Sequence, residues 1–233
     1  MKHASIILLF TFIFLSCNKK SVLLPETDNK SITEILDVSP VYLFYDETKP
    51  DSIDFNRKNM IGSTNWLVNI DKRLTLKQIM PHIIYLQEKR NKDGMHKNEN
   101  AKNYFTCSNP EIQNLAFIEF TDMVYTKETT NDFFKKNDIK FTNDQVITVY
   151  FHSKDSITID TFSNDFSIIQ NSNLNSFLFD ISQGVITEKQ GNTKIVLDFN
   201  ETFSFQDYIN FKSELLKLDL NNVEIIKNEF IHN

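Results

Sequence analysis

The sequence predicts an α+β fold made of small mixed β-sheet modules, with two related halves as one way to arrange them. Three observations point there. Short runs rich in Val, Ile, Tyr and Phe are bounded by polar turns along the whole chain. Longer stretches place apolar residues at helical spacing behind a residue suited to capping. In the C-terminal half these elements follow the order β-β-α-β-α-β. Hydrophobic content of 40% and charged content of 24% suit a globular protein, and 233 residues allow one large domain or two small ones.

The elements can be justified in turn. "VYLFY" (41–45) is a β-rich run, "KPD" (49–51) is turn chemistry, and "SIDF" (52–55) returns as the second arm of a hairpin. "WLVNI" (66–70) is a third strand. Thr75 and Gln78 form a capping box, and Leu76, Ile79, Met80, Ile83 and Leu86 then mark one buried face of a helix that Pro81 should kink. "NKDGMHKNENAK" (91–102) reads as an exposed loop, and 115–125 as a central strand with a continuation. The polar, lysine-rich stretch 132–143 marks a boundary.

Beyond it, 145–151 and 156–160 form a second hairpin. Leu174, Phe177, Leu178, Ile181 and Val185 mark a helix, and "KIVLDF" (194–199) is a buried-strand run. Ser204 caps a helix with Asp207 in its first turn, closed by Asn221-Asn222, before a last strand at 223–226. "VYLFYDETKPDSIDF" echoes "TVYFHSKDSITID", and "LVNIDKRLTLKQIM" echoes "IVLDFNETFSFQDYI", which suggests a duplication. The second echo compares the first helix of one half with the last of the other, so the match is not collinear.

The first residues have their own logic. Lys2 and His3 precede an apolar stretch from Ile6 to Leu15, about ten residues and too short to span a bilayer. It stops at Ser16-Cys17 and turns polar at once. Phe14-Leu15-Ser16-Cys17 resembles the lipobox of bacterial lipoproteins, with Phe14 where Leu is usual. That resemblance implies cleavage before Cys17, lipid attachment to its thiol, and membrane association through the acyl chains. Ordinary cleaved secretion and an uncleaved anchor remain as alternatives. Two or three chains hold firmly where one does not, at about 0.8 kcal/mol per buried CH₂. By the same resemblance, Asn18 after the cysteine points to the outer membrane, and the lack of the acidic cluster associated with surface display points to its periplasmic face. The division is therefore signal peptide 1–16, lipid-anchored tether 17–34, N-terminal module 35–140 and C-terminal module 141–233.

The element order from about 145 to 230 resembles the periplasmic domain of the ExbD/TolR family, which partners proton-driven envelope motors. The chain lacks that family's transmembrane helix and proton-carrying aspartate, and Asn200 stands where an acidic residue is common. The resemblance implies a small α/β module, able to form a homodimer, and carries no motor activity.

Residues for chemistry are sparse. The five histidines, at 3, 82, 96, 152 and 232, show no metal-site spacing, and no metal or cofactor is expected. Glu119 and Asp122 lie three apart, on opposite faces of a regular strand. Asp198 is a charge within an apolar strand, placed either at a cleft by the strand's C-terminal end or, the preferred reading, towards solvent on an edge. "GSTNW" (62–66) lacks a nucleophile elbow, Trp66 reads as core, and four glycines make no phosphate loop. Cys107 reads as a buried apolar side chain. A formal charge of −6 disfavours nucleic acid. The expectation is a non-catalytic envelope lipoprotein that binds an envelope protein or peptidoglycan and serves as accessory to envelope transport. The alternatives are a small-ligand binder using Tyr104, Phe105 and Tyr150, and a periplasmic hydrolase needing Asp198, His152 or Glu119 in one cleft.

Overall fold

The computed structural model describes residues 20–92, 98–136, 145–163, 166–184, 193–218 and 223–233. Cys17, His3, His96, Val185 and the Asn221-Asn222 pair lie outside the described residues.

The predicted first hairpin is β1 (Val38–Tyr45) and β2 (Ile53–Asn56), paired antiparallel with Tyr45 opposite Ile53. Asp46 holds its turn by accepting hydrogen bonds from the backbone and hydroxyl of Thr48. Strand β3 (Asn65–Ile70) runs parallel beside β1. Helix α1 (Leu76–Asn91) starts at the expected capping box, buries the expected face, and continues through Pro81.

Strand β4 (Asn103–Asn109) was not legible in the sequence. It is buried on both faces, so "NYFTCSN" shows no alternation, and Asn103, Thr106 and Asn109 disguise it as a loop. The expected central strand over 115–125 is two strands instead. Strand β5 (Asn114–Glu119) lies at the edge of the first sheet, and β6 (Val124–Thr126) crosses to the second.

After α2 (Thr130–Lys136) come β7 (Gln145–Ser153), β8 (Ser156–Ser163), β9 (Phe166–Ser172), α3 (Phe177–Gly184), β10 (Thr193–Asn200), α4 (Phe205–Leu215) and β11 (Val223–His232). The C-terminal order is therefore β-β-β-α-β-α-β, one strand more than expected. The described residues hold four helices and eleven strands in two mixed sheets, an α+β fold. Their strand orders are β2-β1-β3-β4-β5 and β6-β11-β10-β7-β8-β9.

The two sheets share a plan. In each, a hairpin's first strand lies beside a parallel strand, which passes through a helix to another parallel strand: β1-β3-α1-β4 and β7-β10-α4-β11. The second echo in the sequence, β3-α1 against β10-α4, therefore joins equivalent places. It looks out of step because β9 and α3 are inserted in the second half. The two helix starts meet reciprocally. Leu76 N–H donates to Phe203 and Phe205 N–H to Leu74, while Lys77 N–H donates to Glu201 and Gln206 N–H to Lys72.

One continuous apolar cluster runs through both halves. At its centre Phe105 of β4 stacks on Phe120 at 3.9 Å and meets the edges of Phe205 and Tyr208 from α4. Rings so placed add to the area they remove from water.

The expected tether is also corrected. Residues 20–32 lie along the body, with Pro25 and Thr27 buried. Thr27 N–H donates to Ser108, Ser108 N–H to Pro25, Lys72 N–H to Leu23, and Phe117 N–H to Ile32. Buried Asp71 accepts from Leu23 N–H, and Thr27 and Ser213 join hydroxyls at 2.7 Å. A segment whose backbone groups are satisfied by the body is not a free spacer.

Candidate functional site

The pleat of β7 and β10 sorts their side chains. Ile147, Val149, Phe151, Ile195, Leu197 and Phe199 face the shared core, and the even-numbered residues face the other way. On that outer face Val146, Val196 and Phe230 form a small cluster under Phe133 and Phe134 of α2. Towards the C-terminal ends of the parallel strands the same face turns polar, and Asp198, Tyr150, His152 and His232 gather there.

Asp198 sits in β10 between β11 and β7 and is only 4% exposed, so the edge placement expected of it is wrong. Its burial is tolerated because its carboxylate is bonded. Thr130 Oγ1 donates to it, and His232 Nε2 lies 3.0 Å from Oδ1. The other ring nitrogen, Nδ1, lies 3.1 Å from the Asn233 carbonyl. Burial disfavours the imidazolium, but that carbonyl and the Asp198 carboxylate outweigh it and raise the His232 pKa above 6.5. Tyr150 is opposite Asp198 in the register, and burial first, then Asp198 and Asp160, raises its hydroxyl. Asp160 Oδ1 is buried with no hydrogen-bond partner among the described residues.

This pair lacks the order of a nucleophile relay, in which a hydroxyl meets the imidazole and the imidazole meets the carboxylate. Here the Thr130 hydroxyl meets the carboxylate, and both imidazole nitrogens face oxygens. The arrangement fixes the end of β11 to β10 in the middle of the sheet.

The other expected residues, apart from His152 on this same face, are dispersed. His152 is exposed, stacks on Tyr150, and bonds Thr158 Oγ1 at 3.1 Å. Glu119 belongs to the other sheet and pairs with Lys102 at 2.8 Å, while Asp122 pairs with Lys227 at 3.0 Å. His82 is half-buried against Phe55, and burial lowers its pKa. Cys107 is buried, its thiol pushed up to about 12 by loss of water. Tyr104 and Phe105 lie in β4 and Tyr150 in β7, on different sheets, so these three do not line one site.

Two buried groups escaped the sequence reading. Glu229 of β11 is fully buried, accepts from Tyr208 Oη at 2.6 Å and is bridged by Lys212, with Tyr125 Oη 3.2 Å from Tyr208 Oη. Burial, then the Glu229 charge, raises both phenols well above 10.0. The final strand was read only as far as Ile226, which hid this residue. Arg90 lies 3.6 Å over Trp66 and donates to Gly62 O, Thr64 O and Asn103 Oδ1. Burial pulls its pKa down to about 10. A basic residue in the last turn of a helix gave no hint of burial.

A cleft of about 580 Å³ lies between residues 26–28, the β4–β5 turn, the start of α3 and α4. Its carboxylates are countered: Glu26 by Lys72, Asp28 and Glu214 by Lys217, and Glu111 by Lys30.

Exposed apolar residues include several in β8, β9 and α3. Phe162 is 53% exposed, Ile168 56%, Ile169 70% and Phe179 65%. Among the described residues no group of three or more His, Cys, Asp or Glu is placed to hold a metal, and no helix is long and apolar enough to cross a membrane. No family model, curated protein or solved structure matches the chain.

Proposed function

We propose that the protein is a non-catalytic lipoprotein of the bacterial envelope, anchored through Cys17 at the periplasmic face of the outer membrane, whose folded body binds a protein or cell-wall partner. The observation that carries the binding role is the inserted β9 and its exposed apolar side chains, at the rim of a body whose buried charges are taken up in internal braces. Apolar side chains left exposed along an outer strand favour an interaction surface there. Accessory service to envelope transport is the wider role this reading suggests.

The docked N-terminal segment supports a close stance. Within it, Lys20 is bonded to Asp46 at 2.9 Å and Asp54 at 2.5 Å beside the β1–β2 hairpin. Three peptide units separate Cys17 from Lys20, a reach of at most ~11 Å. Acyl chains on Cys17 would therefore hold this hairpin at the headgroups with no spacer between.

The cleft favours a second reading, a small-ligand binder, in which the ligand would be polar because Glu26, Asp28, Asn175 and Asn210 line it. Mass spectrometry of the protein taken from its native membrane, combined with crosslinking in intact cells, tests the first. The expected result is an acylated N-terminus at Cys17 and capture in a larger species. Retention of residues 1–16 with a free thiol, or recovery as a free monomer alone, would overturn it.

A further inference from the structure

Residues 20–32 are held to the body differently from every other described element. Val22, Leu23, Leu24 and Pro25 run together there, yet among the described residues the apolar cluster takes in none of the segment. Only Pro25 and Thr27 are buried, and Leu23 is 45% exposed. The attachment is polar instead. Lys20, Glu26, Asp28 and Lys30 are all the charged residues of the segment, and each meets an opposite charge on the body. Lys20 has Asp46 and Asp54, Glu26 has Lys72, Asp28 has Lys217, and Lys30 has Glu111. In the last three pairs both side chains are open to water, so salt screens them.

The contact with the sheet is short. Strand β3 pairs with β4 only from Trp66 to Val68 and then leaves for α1. Glu26 enters the vacated place as a single parallel bridge to Ser108. Gln206 of α4 clasps the Glu26 backbone through both its amide atoms, and the Thr27 hydroxyl meets that of Ser213. Peeling the segment away exchanges these bonds for bonds to water and breaks no contact within the apolar cluster. Elements with few buried apolar contacts open before the fold as a whole.

We infer that residues 20–32 are a releasable latch between the anchor and the body, docked in this structure and able to come away while both sheets stay folded. Its use rests on the proposed anchor at Cys17, whereas its existence rests on the geometry alone. With the latch closed, Cys17 lies within ~11 Å of the body. With it open, the sixteen peptide units from Cys17 to Thr33 span ~55 Å at full stretch and ~20–24 Å on average. A cell-wall partner beyond the headgroups then comes within range of a body still tied to the membrane. Pull on the anchor opens the latch from the Lys20 end. The same motion takes Glu26, Thr27 and Asp28 out of the wall of the cleft.

Amide hydrogen exchange of the full chain tests the latch. The Thr27 amide is bonded to Ser108, and the Lys72 and Ser108 amides are bonded to Leu23 and Pro25. These three should exchange at least ~tenfold faster than the amides of Val149 and Leu197 in the central strands β7 and β10. Raising salt from ~0.05 to ~0.5 M should speed the first group at least ~threefold and leave the second unchanged. Lys217→Gln, which frees Asp28, should act in the same direction as salt. Thr27→Cys with Ser213→Cys, in a Cys17→Ser background, should form a disulfide and slow the Lys72 and Ser108 amides to the rate of the central strands. Latch amides that exchange no faster than the central strands, or that ignore both salt and Lys217→Gln, would overturn the inference. Neutron reflectometry of the acylated chain on a supported phosphatidylethanolamine bilayer tests the reach. The body should stand farther out at ~0.5 M salt, and the cysteine pair at 27 and 213 should hold it in; equal heights would overturn the reach. A chain without acyl groups would strike the anchor and leave the exchange result as the test of the latch.

Discussion

Replacing Lys212 with Met isolates a carboxylate in the core, and the consequence can be sized. Glu229 is fully buried and the Lys212 side chain is 12% exposed, so the pair lies where water reaches only one partner. Met keeps most of the aliphatic stem and removes the charge. Breaking a buried ion pair from one side costs about 3–5 kcal/mol. Tyr208 still donates to Glu229, and water can enter where the ammonium stood, so Lys212→Met should sit near ~3 kcal/mol. At the ~2–4 °C per kcal/mol usual for chains of this size, that lowers Tm by about 6–12 °C. The double variant Glu229→Gln/Lys212→Met leaves a neutral acceptor for Tyr208 and no orphan charge, and should recover to within ~1 kcal/mol of wild type. Urea denaturation of the four members of the cycle at neutral pH, with unchanged slopes, measures the coupling. If Lys212→Met costs less than ~1 kcal/mol, or the double variant is no better than the single, the brace does not hold the core as argued.

Three further outcomes are expected. The raised pKa of His232 makes its contribution fully present below about pH 6.5 and lost as pH rises through its folded value, so the urea midpoint should fall above that pH, and His232→Gln should remove this part of the slope. Cys107, with its thiol at about 12, should ignore thiol reagents at mildly alkaline pH until the chain unfolds; reaction at the rate of a free thiol would contradict its burial. Phe105→Ala should cost about 3–5 kcal/mol and keep a single transition, because the ring joins both halves of one core; two separated transitions would show the halves fold independently.

The legible parts of the fold were those where local chemistry and burial agree. Thr75 and Gln78 cap α1 because their side chains satisfy backbone groups three residues apart, a bond that needs no tertiary partner. Ser204 does the same for α4. Strand β4 was hidden because burial on both faces erases the period of two, and β9 because half of "FSIIQNS" is polar and all of its middle is exposed. The candidate site was legible only in part. Asp198 stood out as a charge in an apolar run, but its partner His232 lies 34 residues away on another strand.

The amino-acid order alone settled the α+β class, the hairpins β1-β2 and β7-β8, the capped starts of α1 and α4 and their buried faces, since each follows from propensity, pleat or capping within a few residues. Only the tertiary structure decided that residues 20–32 lie on the body, that β6 leaves its own half, that Glu229 and Arg90 are buried, and that β9 is the outermost strand of its sheet among the described residues. Those outcomes depend on which distant strands and carbonyls arrive beside a residue, and a charge or a backbone donor is stable in the interior only when such partners arrive.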